Sequence, residues 1–496
     1  MKDDYFKGSR PASQPRAGKR DLTRGPITRT LLLFALPVLG GNALQALNGS
    51  VNQFWVSHSL GVTAITAIGN ANIVMMLMLG VIFGVSMAAN ILIGQNVGAG
   101  NLSMVKQVMG TSVTFFVVLA LVVASLGYFA APHILALMGT PGAARDEAET
   151  YLKIVFLAMP FMYFFTFLQM AQRGAGDSRT PFYFMLLAVV IDIVLNPMLI
   201  RGIGPFPPFG IAGSALSTFI AQGLSLACLI FVLYRRRSPL ALRYSERHLL
   251  KADPAILKSL VLRGLPMGLQ ILVMSGAALV MIGLVNSYGE VTAAAFTSAS
   301  QVWTYVQLPA MALGAAVSSM TAQNVGAGLW ERVAKVARSG VLIGLVVTGL
   351  IAAIIYLLGD RTLHVFLPMD SQALPEARHI NDMVLWGFVL FSVTFILAGV
   401  VRATGAVWAP LIVLVASMYV IRIPFASLLQ DRLGADAIWW SFPLGTITST
   451  LLMGVYYLRG SWKQIRMLDE VPRPTGSAPD AGLATPAIAA ADRHCD

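Results

Sequence analysis

The 496 residues carry 56% hydrophobic and 12% charged side chains with a net charge of +12, and the mean hydropathy is +0.71. Soluble domains hold about 25% charged residues, so half that share argues against a soluble enzyme or binding module and for lipid as the main solvent. The basic residues lie between apolar runs and not on one amphipathic face, which makes them topology-setting charges and speaks against nucleic acid as a partner.

The first 29 residues are polar and basic, with no apolar core or small-residue cleavage site, so no secretory signal is expected. Residues 1–25 read as a disordered basic tail. Apolar runs then fall at about 30–56, 64–93, 109–130, 151–171, 181–200, 210–234, 262–286, 294–320, 337–358, 382–401, 409–430 and 437–458. Each is long enough to cross a bilayer core as a helix. The predicted fold class is therefore all-α, a polytopic membrane protein of about twelve transmembrane helices. Breaks at Gly61, Gly98–Asn101 and Gly326–Gly328 are expected to end spans. Pro37, Pro181, Pro266 and Pro410 lie at or near span starts, where a helix tolerates proline best. Of the two cysteines, Cys228 lies in a span and Cys495 in the tail, and neither has a metal-ligand or redox spacing.

With the N-terminus in the cytoplasm, every second connection is cytoplasmic. All but seven of the 35 Lys and Arg residues then fall in the two tails or the even-numbered connections. The exceptions are Arg145, Arg201, Arg361, Arg378 and Arg432 outside and Lys153 and Arg422 within apolar runs. That bias fits the positive-inside rule and puts both ends inside. The predicted units are an N-terminal six-helix lobe at 26–240, a cytoplasmic linker at 241–258, a C-terminal six-helix lobe at 259–462 and a disordered tail at 463–496.

Self-similarity is the strongest signal. Gln95-Asn96-Val97-Gly98-Ala99-Gly100 recurs as Gln323-Asn324-Val325-Gly326-Ala327-Gly328. Leu36-Pro37 recurs as Leu265-Pro266, and Arg173-Gly174-Ala175-Gly176 with Pro181 as Arg402-Ala403-Thr404-Gly405 with Pro410. Six spans separate equivalent positions, an even number, so the halves insert in the same orientation as a parallel repeat. Two such lobes enclose a cleft suited to alternating access.

Polar groups within lipid are costly and therefore informative. Asn42, Gln45, Asn48 and Asn52 share one face of the first span, as interhelical hydrogen-bonding groups or as the wall of a hydrated cavity. Asp192 and Arg422 are the two full charges deep within a span. Counted from Pro181 and Pro410, they lie roughly 16–18 Å in, near the middle of a core about 30 Å thick. Desolvation penalises such a carboxylate as an anion, so Asp192 is a candidate proton carrier, with Asn196 one turn on. A structural carboxylate is the competing reading. Arg422 is expected to face the cleft from the other lobe, as a structural, counter-ion or cargo-contacting group. Met267, Met274 and Met281 share a face, as cavity lining or ordinary packing. Trp303, Trp386, Trp439 and Trp440 are expected to anchor span ends at the interface. Without a P-loop, clustered histidines or a carboxylate pair in a span, no enzyme chemistry, metal or cofactor is expected.

These motifs together resemble the multidrug and toxic compound extrusion (MATE) family over about residues 25–460. The resemblance rests on Leu36-Pro37, Val51–Gly61, the paired Gln-Asn-Val-Gly-Ala-Gly segments, Arg173 to Asp177 before Pro181, and Asp192-Ile193-Val194-Leu195-Asn196-Pro197. It implies a V-shaped pair of six-helix lobes that exports organic, often cationic and amphipathic, compounds in exchange for H⁺ or Na⁺. The family's Asp near the end of the first span is Asn52 here, and its Asn-then-Asp order in the fifth span is reversed as Asp192 then Asn196. A Glu of one branch is Met274, and the tenth span has no deep carboxylate. The chain thus looks closer to the branch that couples through its N-terminal lobe, and a single buried acid favours H⁺ over Na⁺.

On this reading Asp192, Asn196 and Asn52 couple the ion, while Asn42, Gln45, Asn48, Gln270, Met274 and Arg422 meet the cargo. The partners are a small organic molecule and membrane lipid, with no nucleic acid and the chain a monomer in the plasma membrane. A flippase for a lipid-linked oligosaccharide is the main alternative, with Arg422 in its favour. A channel or a membrane-embedded transferase stands further off, the latter lacking clustered acids for a metal-bound pyrophosphate.

Overall fold

The computed structural model describes residues 21–137, 142–204, 206–368 and 370–468, and among these every regular element is helical. In the N-terminal half they are α1 (Ile27–Gly98), α2 (Leu102–Leu137), α3 (Gly142–Gly174), α4 (Arg179–Arg201) and α5 (Ile211–Arg235). The C-terminal half holds α6 (Pro254–Asn286), α7 (Glu290–Gly326), α8 (Trp330–Leu358), the short α9 (Asp360–Leu363), α10 (Leu374–Val384) and α11 (Gly387–Arg402). It closes with α12 (Trp408–Val415), a π-helical turn at Ala416–Arg422, α13 (Ile423–Leu433) and α14 (Asp436–Arg459).

Helical structure continues through Gly61, so α1 is one run of 72 residues and the predicted break does not end it. A straight run of that length would reach about 108 Å. Yet Leu22 before it donates its N–H to Gln323 Oε1 at 3.2 Å, and Gly98 at its end lies against the Gln323 backbone. The run therefore doubles back between two apolar spans, Ile27–Asn52 and Val74–Gly98.

By length and apolar content, nine stretches of the described residues can cross a membrane, and a tenth if α10 and α11, bent by 47°, count as one. α7 and α14 have 37 and 24 residues, long enough at 1.5 Å per residue but more polar. All twelve predicted runs fall on these helices. Pro181 and Pro410 sit in first turns, whereas Pro37 and Pro266 lie about three turns inside α1 and α6. Pro424 has no N–H to offer the carbonyl one turn back, and the ladder ahead of it widens into the π turn that ends on Arg422.

Several boundaries shift. Leu22 is fully buried, and its carbonyl accepts from Asn324 Nδ2 at 3.1 Å, so the chain is fixed before residue 26. Met467 is buried and its carbonyl accepts from Ser259 Oγ at 2.6 Å, so packing extends past 462. Between the halves, the linker lies along α2: Thr114 Oγ1 donates to the Leu250 carbonyl at 2.6 Å, and Gln107 Nε2 to Asp253 Oδ2 at 2.8 Å. Asp253 in turn caps α6, as an acid at a helix N-terminus should.

Two of the four tryptophans are core residues and not interfacial anchors. Trp303 and Trp439 are 3% and 1% exposed. Phe296, Phe388 and Phe442 surround the Trp303 ring, and its Nε1–H donates to Asn381 Oδ1 at 2.8 Å. With the polar edge satisfied internally, the ring needs no headgroup region. Trp440 remains exposed.

Candidate functional site

In the N-terminal half, α1, α4 and α5 bring one polar cluster together. Asp177 sets the start of α4: its Oδ1 accepts from the Arg179 and Thr180 amides, both at 3.0 Å. Four turns on, Asp192 is 3% exposed. Asn48 Nδ2 donates to its Oδ2 at 2.9 Å, Ser217 Oγ donates to Oδ1, and Thr218 Oγ1 lies 3.4 Å from Oδ1. One turn along, Asn196 Nδ2 and Ser214 Oγ both donate to Asn52 Oδ1 at 2.8 Å. Asn196 Oδ1 is buried with no partner. Among the described residues every hydrogen-bond partner of Asp192 is a neutral donor, and none is a cation.

Of the predicted polar face of α1, Asn48 and Asn52 join this cluster. Asn42 is half-buried and Gln45 exposed, and neither makes a side-chain hydrogen bond among the described residues. Ser214, Ser217 and Thr218 were not singled out in the sequence. Their signal was present, hydroxyls three and four residues apart on one face of a span, but serine and threonine are common in membrane helices.

Gln270, Met274 and Arg422 converge elsewhere. They line a cavity of about 690 Å³, counted to its open mouth, together with Phe391, Phe395, Arg402 and Phe442. All lining residues belong to the C-terminal half, so Arg422 opens on a cavity inside that lobe and not on the cleft from across it. The π turn aims Arg422, and Gly445 leaves room for its stem. Of the three spaced methionines only Met274 lines this space. Met267 and Met281 are buried against neighbouring helices.

The halves meet through the repeated motif. Gln95 Nε2 donates to the Ala403 carbonyl at 2.7 Å, and Gln323 Nε2 to the Gly174 carbonyl at 2.8 Å. Gln95 and Gln323 are equivalent, as are Gly174 and Ala403, so the two bonds are images of one another. Gly100 and Gly328 each end their helix at φ +72°, a left-handed turn that glycine adopts without strain. On the predicted topology this junction closes the cytoplasmic end.

The MatE family model matches this chain twice, at residues 37–198 and 266–428. The chain belongs to the MatE family. The two matches begin on Pro37 and Pro266, so the MatE unit is the repeat itself. "Probable multidrug resistance protein YoeA" of Bacillus subtilis is 34% identical over 440 residues, covering 88% of this chain and 95% of that protein. "Probable multidrug resistance protein YpnP" of the same organism is 30% identical over 451 residues, covering 91% and 99%. Among solved structures, "Outward-facing conformation of a multidrug resistance MATE family transporter of the MOP superfamily" superposes with a TM-score of 0.81 at 21% identity, over 88% of this chain and 97% of that one. It supports the fold: a MatE chain of two six-helix halves, a multi-pass membrane protein.

Proposed function

We propose that this chain is a secondary efflux antiporter that exports organic compounds in exchange for H⁺, by alternating access of its two halves. One observation carries the reading: Asp192 is a buried carboxylate held, among the described residues, by neutral donors alone. A carboxylate without a fixed cation inside a membrane protein is neutralised by a mobile one, which is what coupling requires. Asn48 and Ser217 orient the two carboxylate oxygens, and Asn52 and Asn196 form the adjoining polar wall. The multidrug resistance names of the relatives support organic cargo. The reciprocal glutamine junction supports a hinge closed at the cytoplasmic end, with both termini and the basic linker on that side of the plasma membrane. The energy source is the ion gradient, with no cofactor.

Efflux of a fluorescent organic compound from proteoliposomes tests this, first under a pH gradient and then under a Na⁺ gradient. Transport driven by the pH gradient and abolished in Asp192→Asn is expected. Transport driven by Na⁺ alone would transfer the coupling to that ion, for which the unpartnered Asn196 Oδ1 is the added ligand. Equal pH-driven transport by Asp192→Asn would remove Asp192 from the mechanism.

A second reading draws on the arginines of the C-terminal cavity. A flippase for a lipid-linked oligosaccharide needs cations for its phosphates, and two guanidiniums are present there.

A further inference from the structure

The cavity of the C-terminal half contains two guanidiniums and no acidic side chain in its lining. Arg422 has no hydrogen bond or ion pair among the described residues; its Cζ lies 3.4 Å from the centroid of the Phe442 ring, and its Nε is unmet. Arg402 gives one N–H to Gln270 Oε1 at 3.0 Å, lies over Phe395 with Cζ 5.4 Å from the ring centroid, and also leaves Nε unmet. Gln270, 8% exposed, has its Oε1 taken by Arg402 and its Nε2 without a partner. The unmet groups of these three side chains are all donors.

Other arginines near helix ends are used differently. Arg263 and Arg332 donate to backbone carbonyls of adjoining segments. Arg173, the repeat equivalent of Arg402, is 8% exposed and its guanidinium contacts the Met170 sulfur, its Nε, like that of Arg332, being likewise unmet. Arg402 and Arg422 instead remain half-buried, with their side chains on the cavity. Cations within a membrane protein are costly and mark a ligand path by default. The π turn that delivers Arg422 is a helix irregularity common at functional sites.

We propose that this cavity binds the anionic group of an aromatic or amphipathic cargo, a carboxylate, sulfonate or phosphate held by Arg422 and Arg402. Guanidinium forks match such groups two oxygens at a time. Gln270 Nε2 supplies a further donor, and Phe391, Phe395 and Phe442 give the apolar wall for the ring system. That the bound anion is cargo rests on the exporter reading; the site itself does not.

The probe is fluorescein, an aromatic anion, compared with rhodamine 6G, a cation on the same ring system. Binding to the purified full chain is read by fluorescence polarisation. Fluorescein is expected to bind wild type, with affinity reduced about tenfold or more in Arg422→Gln and in Arg402→Gln. Arg422→Lys, which keeps the charge and loses the fork, should fall between wild type and Arg422→Gln, and retained rhodamine 6G binding by Arg422→Gln shows that its loss of fluorescein is not misfolding. Rhodamine 6G should bind wild type no more tightly than Arg422→Gln. Equal fluorescein affinity in wild type and both glutamine variants, or a wild-type preference for rhodamine 6G, would overturn the site. Phosphatidic acid added to the micelles distinguishes the source: displacement of fluorescein assigns the site to a lipid headgroup, resistance to a soluble anion, and either supports an anion site. Arginine-dependent binding without transport of either dye in proteoliposomes would leave the site standing and remove the exporter reading.

Discussion

Gly98 and Gly326 hold equivalent positions in the two halves, and each presses on the glutamine of the other's motif. A Cβ on Gly98 would fall 1.9 Å from the Gln323 carbonyl oxygen, and one on Gly326 1.8 Å from that of Gln95. The obstacle is backbone in both cases, so no rotamer change relieves it. Asn90 faces Ser319, one residue past its repeat equivalent Ser318, with Oγ 3.4 Å from Oδ1.

Gly98→Ala and Gly326→Ala should therefore act alike. Each is predicted to cost about 1–3 kcal/mol through overpacking and to loosen the junction. Thermal unfolding and hydrogen exchange over 95–101 and 323–329 measure this. Unchanged unfolding with unchanged exchange would show that the halves do not meet here.

Ser217→Ala removes a hydrogen bond from a buried carboxylate oxygen and is predicted to cost about 1.5–3 kcal/mol. Transport should fall in this variant, and the losses of stability from Ser217→Ala and Asp192→Asn should not add, because the serine acts through the acid. A double-mutant cycle on unfolding free energies checks this; independent, additive losses would separate the two residues.

Trp303→Phe should destabilise by about 1–3 kcal/mol, since Asn381 Oδ1 is left buried without its donor. Trp440→Phe, at an exposed site, should stay within about 0.5 kcal/mol of wild type. Equal effects in thermal unfolding would return Trp303 to the interface.

Glu246 on the linker accepts from the Arg243 amide and from Lys106. These contacts, the amide bond first, hold its carboxyl below the ordinary carboxylate range. A lowered value means that the contribution is complete above the ordinary range and lost as pH falls through the lowered one. The linker should thus stay docked on α2 at neutral pH and loosen in acid, while Glu246→Gln should loosen it at neutral pH as well. Hydrogen exchange over 244–250, corrected for intrinsic rates, reads both; identical protection in the variant would contradict it.

The repeat was legible because identical residues do identical work: Gln95 and Gln323 each reach a carbonyl of the opposite half, and Gly100 and Gly328 make the same left-handed turn. Asp192 was legible as a charge deep in an apolar run. Its serine partners on α5 were not, since nothing in a hydroxyl's spacing names the helix it will face. Arg402 was assigned to a cytoplasmic connection because it ends a span, and only packing shows its side chain turned inward to Gln270. The tryptophans misled for a related reason. Position near a span end suggests the interface, and the aromatic neighbours that bury Trp303 come from distant stretches of chain.

The most direct test of Asp192 as the coupling group is proton release on cargo binding, followed with a pH indicator in weakly buffered detergent solution. Wild type should release protons when a transported compound binds, and Asp192→Asn, binding the same compound, should release none. Equal release by both proteins would contradict the assignment of Asp192.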